Sequence, residues 1–122
     1  VLRGLLPFDS LTEVGCHVGA NLRLIGETVP GVRLTGYDLN GTALAYGRER
    51  LPADVRLIEA DALTWRPGKD ERWDVVWLDI WNGICGDNAS EMRMLRRRYR
   101  RRAGWVGCWC YYETLRAEMR GR

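Results

Sequence analysis

The sequence predicts an α/β fold, a doubly wound and mainly parallel sheet of about five strands with helices on both faces. Three observations carry this. Short apolar runs of strand type alternate with runs of helical period along the 122 residues, the order that parallel crossover connections demand. Glycine and proline punctuate the runs, at Gly15, Pro30-Gly31, Pro52 and Pro67-Gly68, where turns belong. Crossovers of this kind are right-handed, so a single winding scheme covers both faces of the sheet.

Each element follows from its residues. LTEV at 11–14 reads as a short strand that stops at Gly15. Residues 19–29 follow with Leu22, Ile25 and Val29 on one helical face, and Pro30-Gly31 ends that helix. VRLTGYD at 32–38 is a second strand. Asn40 is placed to cap a helix over 42–51, which Pro52 closes. VRLIEA at 55–60 is a third strand, and 61–70 a short helix or loop stopping at Pro67-Gly68. WDVVWLDI at 73–80 is the most apolar strand and is expected at the centre. A glycine-bearing loop over 82–88 leads to a helix over 89–102 with Met92, Leu95 and Tyr99 on one stripe. A fifth strand over 105–110 and a last helix, Tyr111–Arg120, complete the order. Trp105 and Trp109 would share a face of that strand, where a dimer contact could cover them.

The bounds are those of one ordinary domain, residues 1–122. Hydrophobic residues at 46% and charged residues at 29% match a soluble globular chain. No apolar run reaches the ~20 residues that span a bilayer, so no membrane partner is expected. The start, Val1-Leu2-Arg3-Gly4-Leu5-Leu6-Pro7, breaks too early for a signal peptide, and Val1 in place of methionine reads as a trimmed terminus. Cys16, Cys85, Cys108 and Cys110 form no C-x-x-C pair, and His17 is the single histidine. That set argues against a metal site and for reduced thiols in a cytoplasmic protein. The net charge of +3 is uneven: residues 89–102 carry seven arginines against Glu91, leaving −3 for the rest.

The feature that carries chemistry is Glu13-Val14-Gly15-Cys16-His17-Val18-Gly19-Ala20-Asn21, at the first strand-to-helix turn. Glycines there let the backbone turn tightly and approach a ligand, and the helix start offers free N–H groups. A dinucleotide-binding turn would read G-x-G-x-x-G. This one reads E-x-G-x-x-x-G, and it resembles the first motif of class I S-adenosyl-L-methionine (SAM)-dependent methyltransferases, E/D-x-G-x-G-x-G. The resemblance implies a Rossmann-like methyltransferase core with SAM as cofactor and S-adenosylhomocysteine as product. It implicates Glu13, Gly15, Cys16, His17 and Gly19 at the methionine part. His17 stands where the motif has its middle glycine.

Asp38 ends the second strand nineteen residues beyond Gly19. That is near the ~20-residue offset of an acid that holds ribose hydroxyls, and a carboxylate can accept from both hydroxyls of a cis-diol. The resemblance implies the same role there, with Leu39 beside it; a turn-forming aspartate before Asn40-Gly41 is the other reading. It also implies that Asp61 and Ala62, after the third strand, meet the adenine, although Asp61 equally suits a helix N-cap. Asp79 ends the fourth strand, where open α/β sheets gather their ligands, and can act as a general base. Trp81 is a candidate for stacking on substrate or sulfonium, and core packing is the other reading. Asp79-Ile80-Trp81-Asn82 differs from the D/N-P-P-Y/F of many nucleic-acid amino methyltransferases, which argues against base amines as acceptors.

The resemblance covers about residues 11–79. The Pro-Gly-Gly turn before strand five is replaced by Arg100-Arg101-Arg102-Ala103-Gly104, and the family's C-terminal hairpin of strands six and seven is missing, as in a minimal form or a fragment. Arg96, Arg97, Arg98, Arg100, Arg101 and Arg102 flank Tyr99 on a helix and suit a nucleic acid or other polyanion, a solvated face, or a subunit contact such as a homodimer. Three function classes are therefore open: a SAM-dependent methyltransferase with an unidentified acceptor, a spermidine-synthase-like aminopropyl transferase using Asp79 and Asp87, or a non-catalytic SAM-binding module with a basic nucleic-acid-binding helix.

Overall fold

Ser10–Val14 forms β1, the middle strand of a parallel sheet, and all five of its residues are buried. The structure is a computed structural model that describes residues 7–121; the reading of residues 1–6 lies outside them. Around β1 the chain adds α1 (Ala20–Thr28), β2 (Arg33–Asp38), α2 (Gly41–Arg48), β3 (Arg56–Glu59), β4 (Trp73–Leu78), α3 (Ala89–Arg100), β5 (Ala103–Cys108) and α4 (Tyr111–Arg120). The spatial order is β3-β2-β1-β4-β5, with every neighbouring pair parallel. In β1, Leu11 lies between Leu34 and Val75, and Val14 between Tyr37 and Leu78. The predicted fold class is therefore the observed one. The central strand is β1, with β4 beside it.

Alternation along the strands sends side chains to two cores. One joins Phe8, Leu11, Leu34 and Val75 to Leu22 of α1 and Leu44 of α2. The other joins Val14, Tyr37, Val76 and Leu78 to Met92, Leu95 and Tyr99 of α3. The stripe expected on α3 is wholly buried, and removing one of its anchors, as in Leu95→Ala, would cost about 2–5 kcal/mol. With α1 and α2 on one face and α3 on the other, the winding reverses between β1 and β4. A cleft opens there at the carboxyl ends of the strands.

Several boundaries moved. The fifth strand begins at Ala103 rather than Trp105, because Ala103 pairs with Trp73. It ends at Cys108, since Cys110 takes a left-handed φ of 48° to start α4. Trp109 thus falls outside the strand and packs with the α3 core, whereas Trp105 stacks on Trp77 over the opposite core. The two tryptophans do not share a face, which removes that premise for a dimer contact. The thirteen residues between β3 and β4 form turns and loop rather than a helix. Trp65 covers the sheet there instead, its ring 4.4 Å from that of Tyr37. No helix among the described residues is long and apolar enough to cross a membrane.

Candidate functional site

The site begins at Gly15, where β1 must stop. Gly15 has φ +94°, and a Cβ there would strike the carbonyl oxygen of Asp79, so glycine lets the turn lie directly on the end of β4. Its N–H and that of Cys16 donate to the Tyr37 carbonyl at 2.7 and 3.0 Å, binding the turn to β2 as well. His17 follows in the left-handed region at φ 51°, a conformation that costs a non-glycine residue about 1–2 kcal/mol. Gly19, at φ +84°, caps α1 by its backbone alone.

Asp38 locks this turn. Its Oδ2 accepts the His17 N–H at 2.7 Å and its Oδ1 accepts the Asn40 N–H at 2.8 Å. Each oxygen keeps a further lone pair for a ligand hydroxyl. Asn40 in turn caps α2, accepting the Ala43 N–H at 3.1 Å as predicted. Asp61 closes a turn rather than a helix: its Oδ1 accepts the Leu63 N–H at 3.0 Å, and its carbonyl accepts those of Thr64 and Trp65.

These pieces surround a cavity of about 540 Å³. Of the residues expected from sequence, Gly15, His17, Asp38, Leu39, Asp61, Ala62, Asp79 and Trp81 line it. Tyr37, Asn40, Ala60, Leu63, Ile80 and Asn82 complete the wall; sequence reading missed them as site residues because they only flank the acids that drew attention. Three aspartates line the cavity and no lysine or arginine does. Burial raises the Asp79 carboxyl above its ordinary range, against a hydrogen bond from Trp77. The Trp81 ring is buried in the α3 core, and its N–H donates to Glu91 Oε1 at 3.2 Å. It forms a fixed wall.

Glu13, Cys16 and Gly19 do not line the cavity. The Cys16 thiol is buried beneath Gly36 and Leu22 in the α1 core, and burial pushes its pKa up to about 12. A neutral thiol facing the core contributes packing and leaves ligand contact to its backbone. Glu13 is only 2% exposed yet holds a carboxylate beneath the turn. Asn21 donates to its Oε2 at 2.9 Å, while Oε1 finds no partner among the described residues. Burial chiefly, with the Asp79 and Asp38 charges adding to it, pushes its pKa up to about 7.

The basic helix is less free than its sequence implied. Arg98 donates to the carbonyls of Ala62, Leu63 and Trp65, and Arg102 to those of Gly68 and Lys69. Arg93 grips Glu118 with both terminal nitrogens at 3.1 and 2.8 Å, and Arg96 lies 4.2 Å over the Tyr111 ring. Arg97, Arg100 and Arg101 are exposed. Asp87 sits in the 3-10 turn Gly86–Asn88 and faces a groove against α4, away from the cavity.

A family model described as a methyltransferase domain matches residues 12–102. No curated protein matches the sequence. Among solved structures, the chain is similar to SAM-bound CalS10, an amino pentose methyltransferase from Micromonospora echinaspora, with 27% identity and a TM-score of 0.63 over 84% of this chain and 42% of that one. The fold is also that of the plantazolicin methyltransferase BpumL in complex with S-adenosylhomocysteine (20%, TM-score 0.64, 79% and 35%). It is likewise that of the sugar N-methyltransferase KedS8 from Streptoalloteichus sp. (24%, TM-score 0.57, 81% and 37%). The chain spans well under half the length of each.

Proposed function

The chain belongs to the class I family of SAM-dependent methyltransferases, and on that premise we propose that its cavity holds SAM and directs methyl transfer to an acceptor entering beside Asp79. The reading rests above all on the charge of the site: three aspartates line the cavity, with neither lysine nor arginine among them. A pyrophosphate-bearing dinucleotide would meet repulsion here, whereas a sulfonium with an ammonium group is attracted. The close approach that Gly15 allows fits the same ligand. When bound, the cofactor would supply a methyl group on positively charged sulfur, open to an acceptor nucleophile that bonds to the methyl carbon as the carbon–sulfur bond breaks and S-adenosylhomocysteine leaves.

The chain's own residues then divide the work. Asp38 accepts from the ribose hydroxyls, and Asp61 with the Ala62 backbone meets the adenine. The turn at Gly15 and His17 meets the methionine part, with Cys16 acting through backbone, while Gly19 and the buried Glu13, bonded to Asn21, support the turn from behind. Leu39, two-thirds exposed, covers the ribose side. Asp79 receives the proton that the acceptor loses, and its raised pKa makes it a stronger base than an ordinary carboxylate. Trp81 bounds the acceptor's entry. Catalysis of this kind is mostly positioning.

The aminopropyl-transfer alternative loses support because Asp87, its second acid, faces another groove. The nucleic-acid expectation contracts from six arginines to Arg97, Arg100 and Arg101.

Titration calorimetry with SAM and S-adenosylhomocysteine tests the reading. Wild-type protein is expected to bind both, and Asp38→Ala to weaken binding at least about tenfold, roughly 1.4 kcal/mol. Absence of binding by folded wild-type protein overturns it. With binding in hand, amino pentoses, the acceptor class of the 27% identical relative, are the first acceptors to screen.

A further inference from the structure

The connection after β3 carries cavity residues without a helix to hold them. Asp61, Ala62 and Leu63 line the cavity, yet the carbonyls of Ala62, Leu63 and Trp65 belong to no ladder. Buried backbone carbonyls need donors, and here one side chain supplies them. Arg98 Nη1 donates to Ala62 O at 2.8 Å and Trp65 O at 3.1 Å, and its Nη2 donates to Leu63 O at 3.2 Å. The guanidinium is half-buried and rests against the Met94 sulfur at 3.1 Å. Its own helix is fixed by Met92, Leu95 and Tyr99, none of them exposed. Arginine alone has a planar fork of donors that can bridge three carbonyls at once.

We propose that Arg98 is a positioning residue for the cofactor: its fork on the Ala62, Leu63 and Trp65 carbonyls holds the loop so that the Ala62 backbone and the Asp61 carboxylate are presented to the cavity. The loop is pinned on both sides. Trp65 packs on Tyr37, the Asp61 carboxylate closes its first turn, and Arg98 fixes the carbonyls between. With its carbonyls turned to α3, the Ala62 N–H is left without a partner among the described residues and available to a ring acceptor. Arg98 touches no ligand itself, so its removal raises the cost of ordering the loop on binding and leaves the reacting end of the cavity alone.

This inference rests on the cofactor reading above, and the test separates the two. S-adenosylhomocysteine affinity, methyl-transfer kinetics once an acceptor is known, and amide exchange across residues 61–66 are measured for wild type, Arg98→Ala, Arg98→Lys and the control Arg116→Ala. Arg98→Ala is expected to weaken S-adenosylhomocysteine binding about tenfold, with a raised KM for SAM, kcat at saturation little changed and faster exchange at 61–66. Arg98→Lys keeps the helix charge and recovers only part of the affinity, because one ammonium cannot span the three carbonyls. Arg116→Ala leaves all three readouts unchanged. Wild-type affinity in Arg98→Ala overturns the inference, as does full rescue by lysine. If wild type binds no S-adenosylhomocysteine, the cofactor reading fails; Arg98 is then judged by exchange alone, and equal exchange in Arg98→Ala and wild type overturns it.

Discussion

Asn21 holds one oxygen of Glu13 at 2.9 Å, and the other oxygen is buried without a partner among the described residues. A carboxylate so placed is unfavourable while charged, which is why its pKa rises from an ordinary 4.5 to about 7. The folded chain therefore holds a proton there that the unfolded chain has released. Stability falls as pH rises from about 4.5 to 7 and is flat above, with a total loss of about 3 kcal/mol from this group. Glu13→Gln should remove that slope and raise the melting temperature at pH 8, as read by thermal denaturation across pH. An unchanged slope would mean that Glu13 is solvated or paired after all.

His17 occupies a left-handed position that glycine adopts freely. His17→Gly is expected to raise stability by up to about 1 kcal/mol, the released strain exceeding the added chain entropy. Urea denaturation measures it, and a loss of stability would show that the imidazole makes contacts that outweigh the strain.

Tyr99 buries its hydroxyl in the α3 core with no hydrogen-bond partner among the described residues, where burial lifts its pKa to about 12. Tyr99→Phe keeps the ring and drops the unsatisfied oxygen, so it should be neutral or stabilising by about 1 kcal/mol. Destabilisation beyond that in chemical denaturation would point to a bonded hydroxyl.

The arginine helix makes a quantitative claim about nucleic acid. With Arg93, Arg96, Arg98 and Arg102 held by intramolecular contacts, three arginines of this segment, Arg97, Arg100 and Arg101, are left to phosphate. The salt dependence of single-stranded RNA binding, taken as log K against log salt, should have a slope no steeper than about −2. A slope near −4 in a filter-binding series would require the internal contacts to open.

The glycine turn and the acids at the strand ends were legible in sequence because their positions are local: each ends a strand or sits one or two residues past one, and parallel topology brings strand ends together. The direction of the Cys16 thiol was not legible, since Gly-Cys in a turn reads the same whether sulfur faces ligand or core. Gly36, whose missing side chain makes room for that sulfur, lies twenty residues away. The arginine run misled for a related reason. Charge along a helix looks alike whether solvated or bonded, and the carbonyls that engage Arg98 come from a loop more than thirty residues earlier. That loop read as a short helix or loop, and the structure resolves it because Trp65 finds Tyr37.

The strand order has a consequence for synthesis. Leu11 of β1 pairs with Val75 of β4, sixty-four positions later in the chain. At roughly 5–20 residues per second, the ribosome exposes β1 for several seconds or more before its second neighbour exists. During that interval one edge of a strand that the finished fold buries completely is open to pairing with other chains. Yield during expression should therefore depend more on translation speed and chaperone supply between residues 15 and 75 than on the stability of the finished fold.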